Sequence, residues 1–110
     1  MAEESLNRRL AAILMADVVG YSQLMEADEA GTLRAVKQHR GHVIEPAIAT
    51  NKGRLVKLMG DGTLVEFASV LNAVNCATVI QRQTAARNAE LAPDRCIELR
   101  IGTRFSSRVT

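Results

Sequence analysis

Arg54-Leu-Val-Lys-Leu-Met-Gly-Asp-Gly-Thr-Leu-Val-Glu-Phe67 is the stretch that decides the fold. Two short apolar runs flank Gly60, Asp61 and Gly62. Asp-Gly between alternating apolar residues signals a tight β-hairpin, because glycine accepts the positive φ that such turns need. Asp61 is therefore expected at or near the tip. Side chains alternate along a strand, so Val56, Leu58, Thr63, Val65 and Phe67 should share one face, and Leu55, Lys57, Met59, Leu64 and Glu66 the other. The second set mixes two charges with three large apolar groups. It is too apolar for a solvated face and too charged for a closed core, which points to a surface covered by another body. Lys57 falls almost opposite Glu66 or Leu64, so a cross-strand ion pair with Glu66 is available.

Upstream of the hairpin, residues 1–9 are polar and read as a lead-in. Leu10 to Val19 is an apolar run broken only by Asp17, the pattern of a central strand buried on both faces, and Gly20 ends it. Tyr21 to Glu26 reads as one helical turn, with Ser22 available as a cap. A longer helix is predicted from Asp28, whose carboxylate can cap the free amides, with Glu29 favourable at the positive end of the helix dipole. Leu33, Val36, Val43, Ile44, Ala47 and Ile48 recur at helical spacing as its buried side. Pro46 should kink it, and Lys52-Gly53 should stop it, the glycine by turning left-handed.

Downstream, Ser69 is the N-cap of a second helix with Val70, Ala73, Val74, Ala77, Ile80 and Thr84 on one stripe, ending near Asn88. After a loop carrying Pro93, Ile97, Leu99 and Ile101 alternate with Glu98 and Arg100 as a half-buried strand. From Gly102 the pattern dissolves. The order strand, helices, strand, strand, helix, strand is βαββαβ, an α+β, ferredoxin-like antiparallel sheet with helices on one face. The first strand is expected beside the strand that begins the hairpin, and the mixed hairpin face on the side without helices.

Composition fits this architecture and narrows the functional classes. At 110 residues the chain is one domain by length and can bury roughly two-thirds of its unfolded surface. Hydrophobic residues at 47% and charged residues at 24% exclude a disordered chain, while aromatics at 3% leave the core to aliphatic side chains. The net charge of +2 comes without any run of Lys or Arg, which argues against nucleic acid. The apolar run Leu10 to Ala16 is too short to span a bilayer, and the acidic start lacks the order of a signal peptide, so a cytoplasmic location without a membrane segment is expected. Cys76 and Cys96 have no CxxC or Cys/His metal spacing and read as buried free thiols. His39 and His42, three apart on one helix, lack a third ligand and read as a solvated helical face.

Two carboxylates stand out by position. Asp17 lies near the end of an otherwise apolar strand and Asp61 at the hairpin tip. They converge if the first strand reaches far enough, and paired carboxylates bind the hard cation that accompanies phosphates. Each is equally an ordinary strand-end or turn residue. Val18 to Ser22 can present successive backbone N–H groups to a phosphate where strand passes into helix.

Arg8-Arg-Leu-Ala-Ala-Ile-Leu-Met-Ala-Asp-Val-Val-Gly-Tyr-Ser22, followed by Leu55-Val-Lys-Leu-Met-Gly-Asp-Gly-Thr-Leu-Val-Glu-Phe67, closely resembles the class III adenylate/guanylate cyclase catalytic domain of bacterial adenylate cyclase type. The likeness runs from about Arg8 to Gly102, giving a division into a lead-in (1–9), the N-terminal portion of a cyclase domain (10–102) and a tail unlike the family (103–110). The resemblance implies that Asp17 and Asp61 bind two Mg²⁺ or Mn²⁺ ions, joined by the backbone carbonyl of Val18. It implies that Val19, Gly20, Tyr21 and Ser22 hold the terminal phosphates, and that Lys57 reads adenine, where guanylate cyclases generally carry Glu. The implied reaction is attack of the ribose 3′-oxygen on the α-phosphorus of ATP, giving cyclic AMP and pyrophosphate. The implied assembly is a head-to-tail homodimer, or a heterodimer with a complete cyclase domain, with aspartates from one domain and lysine from the other. The family's transition-state Asn and Arg and its second base-reading residue belong to a segment after Gly102 that this sequence does not match, so impaired turnover is expected. The alternatives are a nucleotide and Mg²⁺-binding or dimerisation module without catalysis, or a non-functional remnant. A diguanylate cyclase is a rival on the same fold type, but its Gly-Gly-Asp-Glu-Phe signature is absent.

Overall fold

The structure, a computed structural model, describes residues 8–109 of the chain. Most of the expected lead-in, residues 1–7, lies outside the described residues. Strand β1 (Arg8–Val18) buries Ala12, Leu14, Ala16 and Val18, while the alternate residues Ile13, Met15 and Asp17 face the other way. The run is apolar on both sides, but the sides are unequally covered: Leu14 has no exposed surface and Met15 is 42% exposed. A short helix α1 (Tyr21–Ala27) follows, entered through Gly20 at φ 70 rather than through a side-chain cap from Ser22.

Helix α2 (Glu29–His39) starts as expected, with Asp28 Oδ1 accepting the Gly31 N–H at 3.0 Å and Glu29 in the first turn. It runs into a wide π-turn (Arg40–Ile44) and then α3 (Glu45–Thr50). Pro46 supplies no N–H and its ring crowds the carbonyl one turn back, so the regular ladder gives way just before it. Val36, Val43, Ile44, Ala47 and Ile48 are buried, but Leu33 is 47% exposed and leaves the predicted stripe. The left-handed residue that ends α3 is Lys52, at φ 60, not Gly53. Gly53 is required for space instead: a Cβ there would lie 2.6 Å from Cε2 of the buried Phe67 ring.

Strands β2 (Arg54–Met59) and β3 (Gly62–Phe67) form the hairpin, with Gly60 at φ 58 and Asp61 beside it in the turn. The register pairs Met59 with Gly62, Leu58 with Thr63 and Lys57 with Leu64, then shifts, so that Leu55 faces Val65 and Arg54 faces Glu66. The irregularity at Val56 is a bulge, which changes the parity of the strand. Leu55 therefore joins the face of Thr63, Val65 and Phe67, and Arg54 takes its place on the other. The Lys57–Glu66 ion pair is corrected accordingly: Arg54 Nη2 meets Glu66 Oε1 at 2.6 Å.

Helix α4 (Val70–Asn88) is capped by Ser69, whose Oγ accepts the Asn72 N–H at 3.2 Å. Its buried stripe is Ala73, Cys76, Ile80 and Thr84, while Val70 and Val74 are exposed. After a 3₁₀ turn (Pro93–Arg95), strand β4 (Leu99–Val109) pairs along the whole of β1, Val18 with Leu99 through Arg8 with Val109. The strand thus continues well past Gly102, where hydrophobic alternation alone predicts none.

The four strands lie in the order β2-β3-β1-β4, all antiparallel, with β1 between β3 and β4. The ferredoxin-like, α+β arrangement is as predicted, but β1 neighbours the second strand of the hairpin rather than the first. The core joins Leu14, Val65 and Phe67 from the sheet to Ile44, Ile48, Cys76 and Ile80 from the helices. Among the described residues no helix is long and apolar enough to cross a membrane.

Candidate functional site

Strand pairing brings the two predicted carboxylates together. Ala16 is in register with Thr63, so the end of β1 lies beside the hairpin tip, and the Val18 N–H donates to Asp61 Oδ2 at 3.2 Å. Asp61 is thereby held against the peptide that follows Asp17. Asp17 is on the sheet face without helices, where Arg100 of β4, its register partner, donates from Nε to Asp17 Oδ1 at 3.2 Å. That pair is largely solvated, with Arg100 71% exposed at its side chain, so it contributes at most about 1 kcal/mol and yields readily to a stronger cation.

The segment after Asp17 divides in two. The Val19 N–H is already committed to the Glu98 carbonyl at 2.9 Å. Gly20 turns the chain into α1, and the N–H groups of Tyr21 and Ser22 open that helix, where no intrahelical acceptor exists for them. Two free amides thus stand close in sequence to Asp17, with Val19 excluded from the predicted set as a donor.

Lys57 is not part of this cluster. It lies on the edge strand β2, level with Leu64 and so with Met15, two strands away from β1. At about 4.8 Å per strand spacing that is roughly 10 Å across the sheet. Its ammonium projects from the face shared by Leu64, Glu66 and Asp17, in exposed surroundings. The register therefore places the predicted base-reading lysine two strands across the sheet from Asp17, on the strand that leads into the Asp61 turn.

Sequence reasoning missed Arg100 and Arg40. Arg100 was visible as the polar member of an alternating strand, but only the register places it opposite Asp17. Arg40 Nη2 reaches the Gly60 carbonyl at 3.5 Å, beside Asp61, from a π-turn that no periodicity announces. The histidine reading is also corrected. His42 is exposed, but His39 is buried at 3% exposure with Nε2 2.8 Å from Thr84 Oγ1, and burial, aided by Arg87, lowers its pKa to about 4. Cys76 is fully buried and its thiol is pushed up to about 11 by desolvation, whereas Cys96 is only partly covered.

An antiparallel β2-β3-β1-β4 sheet with helices on one face is the architecture of nucleotide-cyclase domains. Sequence and fold comparison agree: along nearly its whole length the chain is similar to part of class III adenylate/guanylate cyclases. It is 52% identical over 102 residues to "Putative adenylate cyclase 3" of Rhizobium meliloti (strain 1021), a match that takes in 93% of this chain and 17% of that protein. The adenylate/guanylate cyclase/hydrolase structure from Silicibacter pomeroyi superposes with a TM-score of 0.81 at 41% identity, over 91% of this chain and 58% of that one. A bacterial light-regulated adenylyl cyclase shares the fold, with a TM-score of 0.82 at 16% identity over 91% of this chain and 55% of the other. The chain thus spans about a sixth of the curated relative and just over half of these solved chains. No protein-family model matches it.

Proposed function

We propose that this chain supplies the metal-binding and base-reading elements of an adenylate cyclase site, converting ATP to cyclic AMP and pyrophosphate in a dimer with a second cyclase domain. The observation that carries the reading is the contact between the Val18 N–H and the Asp61 carboxylate, which sets two hard oxygen donors, Asp17 and Asp61, around one peptide. Such a donor set suits Mg²⁺ or Mn²⁺, which take carboxylate oxygens plus substrate phosphates rather than an all-protein cage.

Asp17, Asp61 and the Val18 carbonyl would hold two ions, which supply Lewis acidity to the 3′-hydroxyl and neutralise triphosphate charge. The chain's own contributions are orientation and discrimination. The Val18 amide fixes one Asp61 oxygen and leaves the other free. The Tyr21 and Ser22 N–H groups, at a helix start, are placed to receive phosphate oxygens. The Lys57 ammonium is a donor only, which suits the acceptor ring nitrogen N1 of adenine, where guanine carries N1–H. Lys57 lies on the edge strand β2, two strands across from Asp17 of β1, and it serves the site of the partner domain, across the open sheet face.

The test is cyclic AMP production from ATP with Mg²⁺ or Mn²⁺, by the chain alone and mixed with a complete cyclase domain whose own aspartates are replaced. Activity in the mixture, lost on Asp61→Asn in this chain, is the expected result. No activity in either, with ATP and metal still raising the unfolding temperature, would convert the reading to a binding module. Neither activity nor stabilisation would refute both.

A further inference from the structure

Away from the aspartates the chain forms an open-mouthed cavity of about 420 Å³, between the α1–α2 corner and the end of α4 with the loop that follows. Its size lies within the range of small-molecule sites. Leu24, Val36 and Ile97 give it an apolar floor, and Arg34, Arg87 and Arg95 line its sides. None of these three guanidinium groups has a carboxylate partner among the described residues. Two carboxylates also line the cavity. Asp28 is committed through Oδ1 to the Gly31 N–H, and Asp94 lies on the exposed 3₁₀ turn. The balance is three cations against two anions, with the neighbouring His39 neutral.

Both walls are fixed without a ligand. On one side the Thr32 hydroxyl donates to the Leu24 carbonyl at 2.9 Å, locking α2 to α1. On the other, the Asn88 side chain clamps Ile97 twice, donating to its carbonyl at 2.8 Å and accepting its N–H at 3.1 Å. A preformed cavity costs little ordering when it is filled. Apolar floor and unpaired guanidinium groups together match a ligand with an apolar body and one planar anionic end, the geometry that arginine binds in bidentate fashion.

We propose that this cavity is a binding site for a small carboxylate with an apolar body. The proposal stands on the cavity and its charges alone and does not depend on the cyclase reading. The ¹⁵N-labelled chain is titrated with benzoate, and in parallel with benzamide, which has the same shape without the charge, and with inorganic phosphate, which has charge without the apolar body. Benzoate should give saturable shifts of the Thr32, Val36, Asn88 and Ile97 amides, with benzamide and phosphate at least tenfold weaker. Arg87→Gln and Arg34→Gln should each weaken benzoate binding by about tenfold while the remaining spectrum stays unchanged. No saturable shift, an equal response to benzamide or phosphate, shifts confined to β2, or full affinity in both arginine variants would each overturn the assignment.

Discussion

Lowering the pH from 7 to 5 should destabilise this chain through a single buried histidine. His39 is 3% exposed, shares a hydrogen bond with Thr84, and has its pKa lowered from 6.5 to about 4 by burial first and by Arg87 second. Between those two values the unfolded chain binds a proton that the folded chain refuses. Stability therefore rises with pH in that window, is fully present above about 6.5 and is lost as pH falls toward 4. For a shift of this size the loss between pH 7 and pH 5 is about 2 kcal/mol, and the full loss below pH 4 about 3 kcal/mol. With a urea slope of about 1–3 kcal/mol per molar, the midpoint should fall by roughly 1 M between pH 7 and pH 5. Carboxylates titrate near the lower end of the window, so the comparison that isolates His39 is with His39→Gln, which keeps a polar partner for Thr84 but binds no proton. Urea melts followed by circular dichroism at half-unit pH steps should give a slope for the wild type that the variant lacks. Parallel stability profiles for the two proteins would refute the reasoning.

Other perturbations have sharply different expected sizes. Gly53→Ala drives a methyl group to 2.6 Å from the Phe67 ring, which is 1% exposed and has nowhere to move, so a loss of about 1–3 kcal/mol is expected in urea melts. Ile80→Ala empties a fully buried position on α4 and should cost about 2–5 kcal/mol by the same measurement. Arg54→Ala breaks an ion pair whose arginine is 64% exposed, and a double-mutant cycle with Glu66→Ala should return a coupling below about 1 kcal/mol. With an aromatic disulfide reagent at pH 8, Cys96 should react in the folded chain and Cys76 only on unfolding, since Cys76 is inaccessible and its thiol stays protonated.

The parts of the fold legible in the sequence are those carried by local chemistry. Asp28 and Ser69 announce their helices because a side-chain oxygen satisfies an amide two or three residues on, and Gly60-Asp61-Gly62 announces its turn because one residue must take positive φ. What failed was set by non-local contacts. His39 resembles the polar side of an amphipathic helix until Thr84, forty-five positions away, is packed against it. Gly53 reads as a stop signal, while its real constraint is the Phe67 ring, and the left-handed turn falls on Lys52. Thr103 to Val109 has no hydrophobic alternation, yet it forms strand because β1 offers it a complete ladder of partners. The site divides in the same way. Asp17 and Asp61 were identifiable as unusual acids, but the approach of Asp61 to the end of β1 depends on β1 pairing with β3 rather than with the first strand of the hairpin.

The bulge at Val56 has a consequence for how such an edge could diverge. Because the parity of β2 reverses there, the residues before and after it answer to different rules. Deleting Val56 alone would exchange Leu55 and Arg54 between the two sides of the sheet while leaving Lys57 and the turn untouched. The outer surface would lose a guanidinium and gain an isobutyl group without any residue changing identity. Relatives that differ by one residue at this point should therefore differ in the stickiness of that surface, and gain or loss of a residue would retune it more abruptly than any substitution.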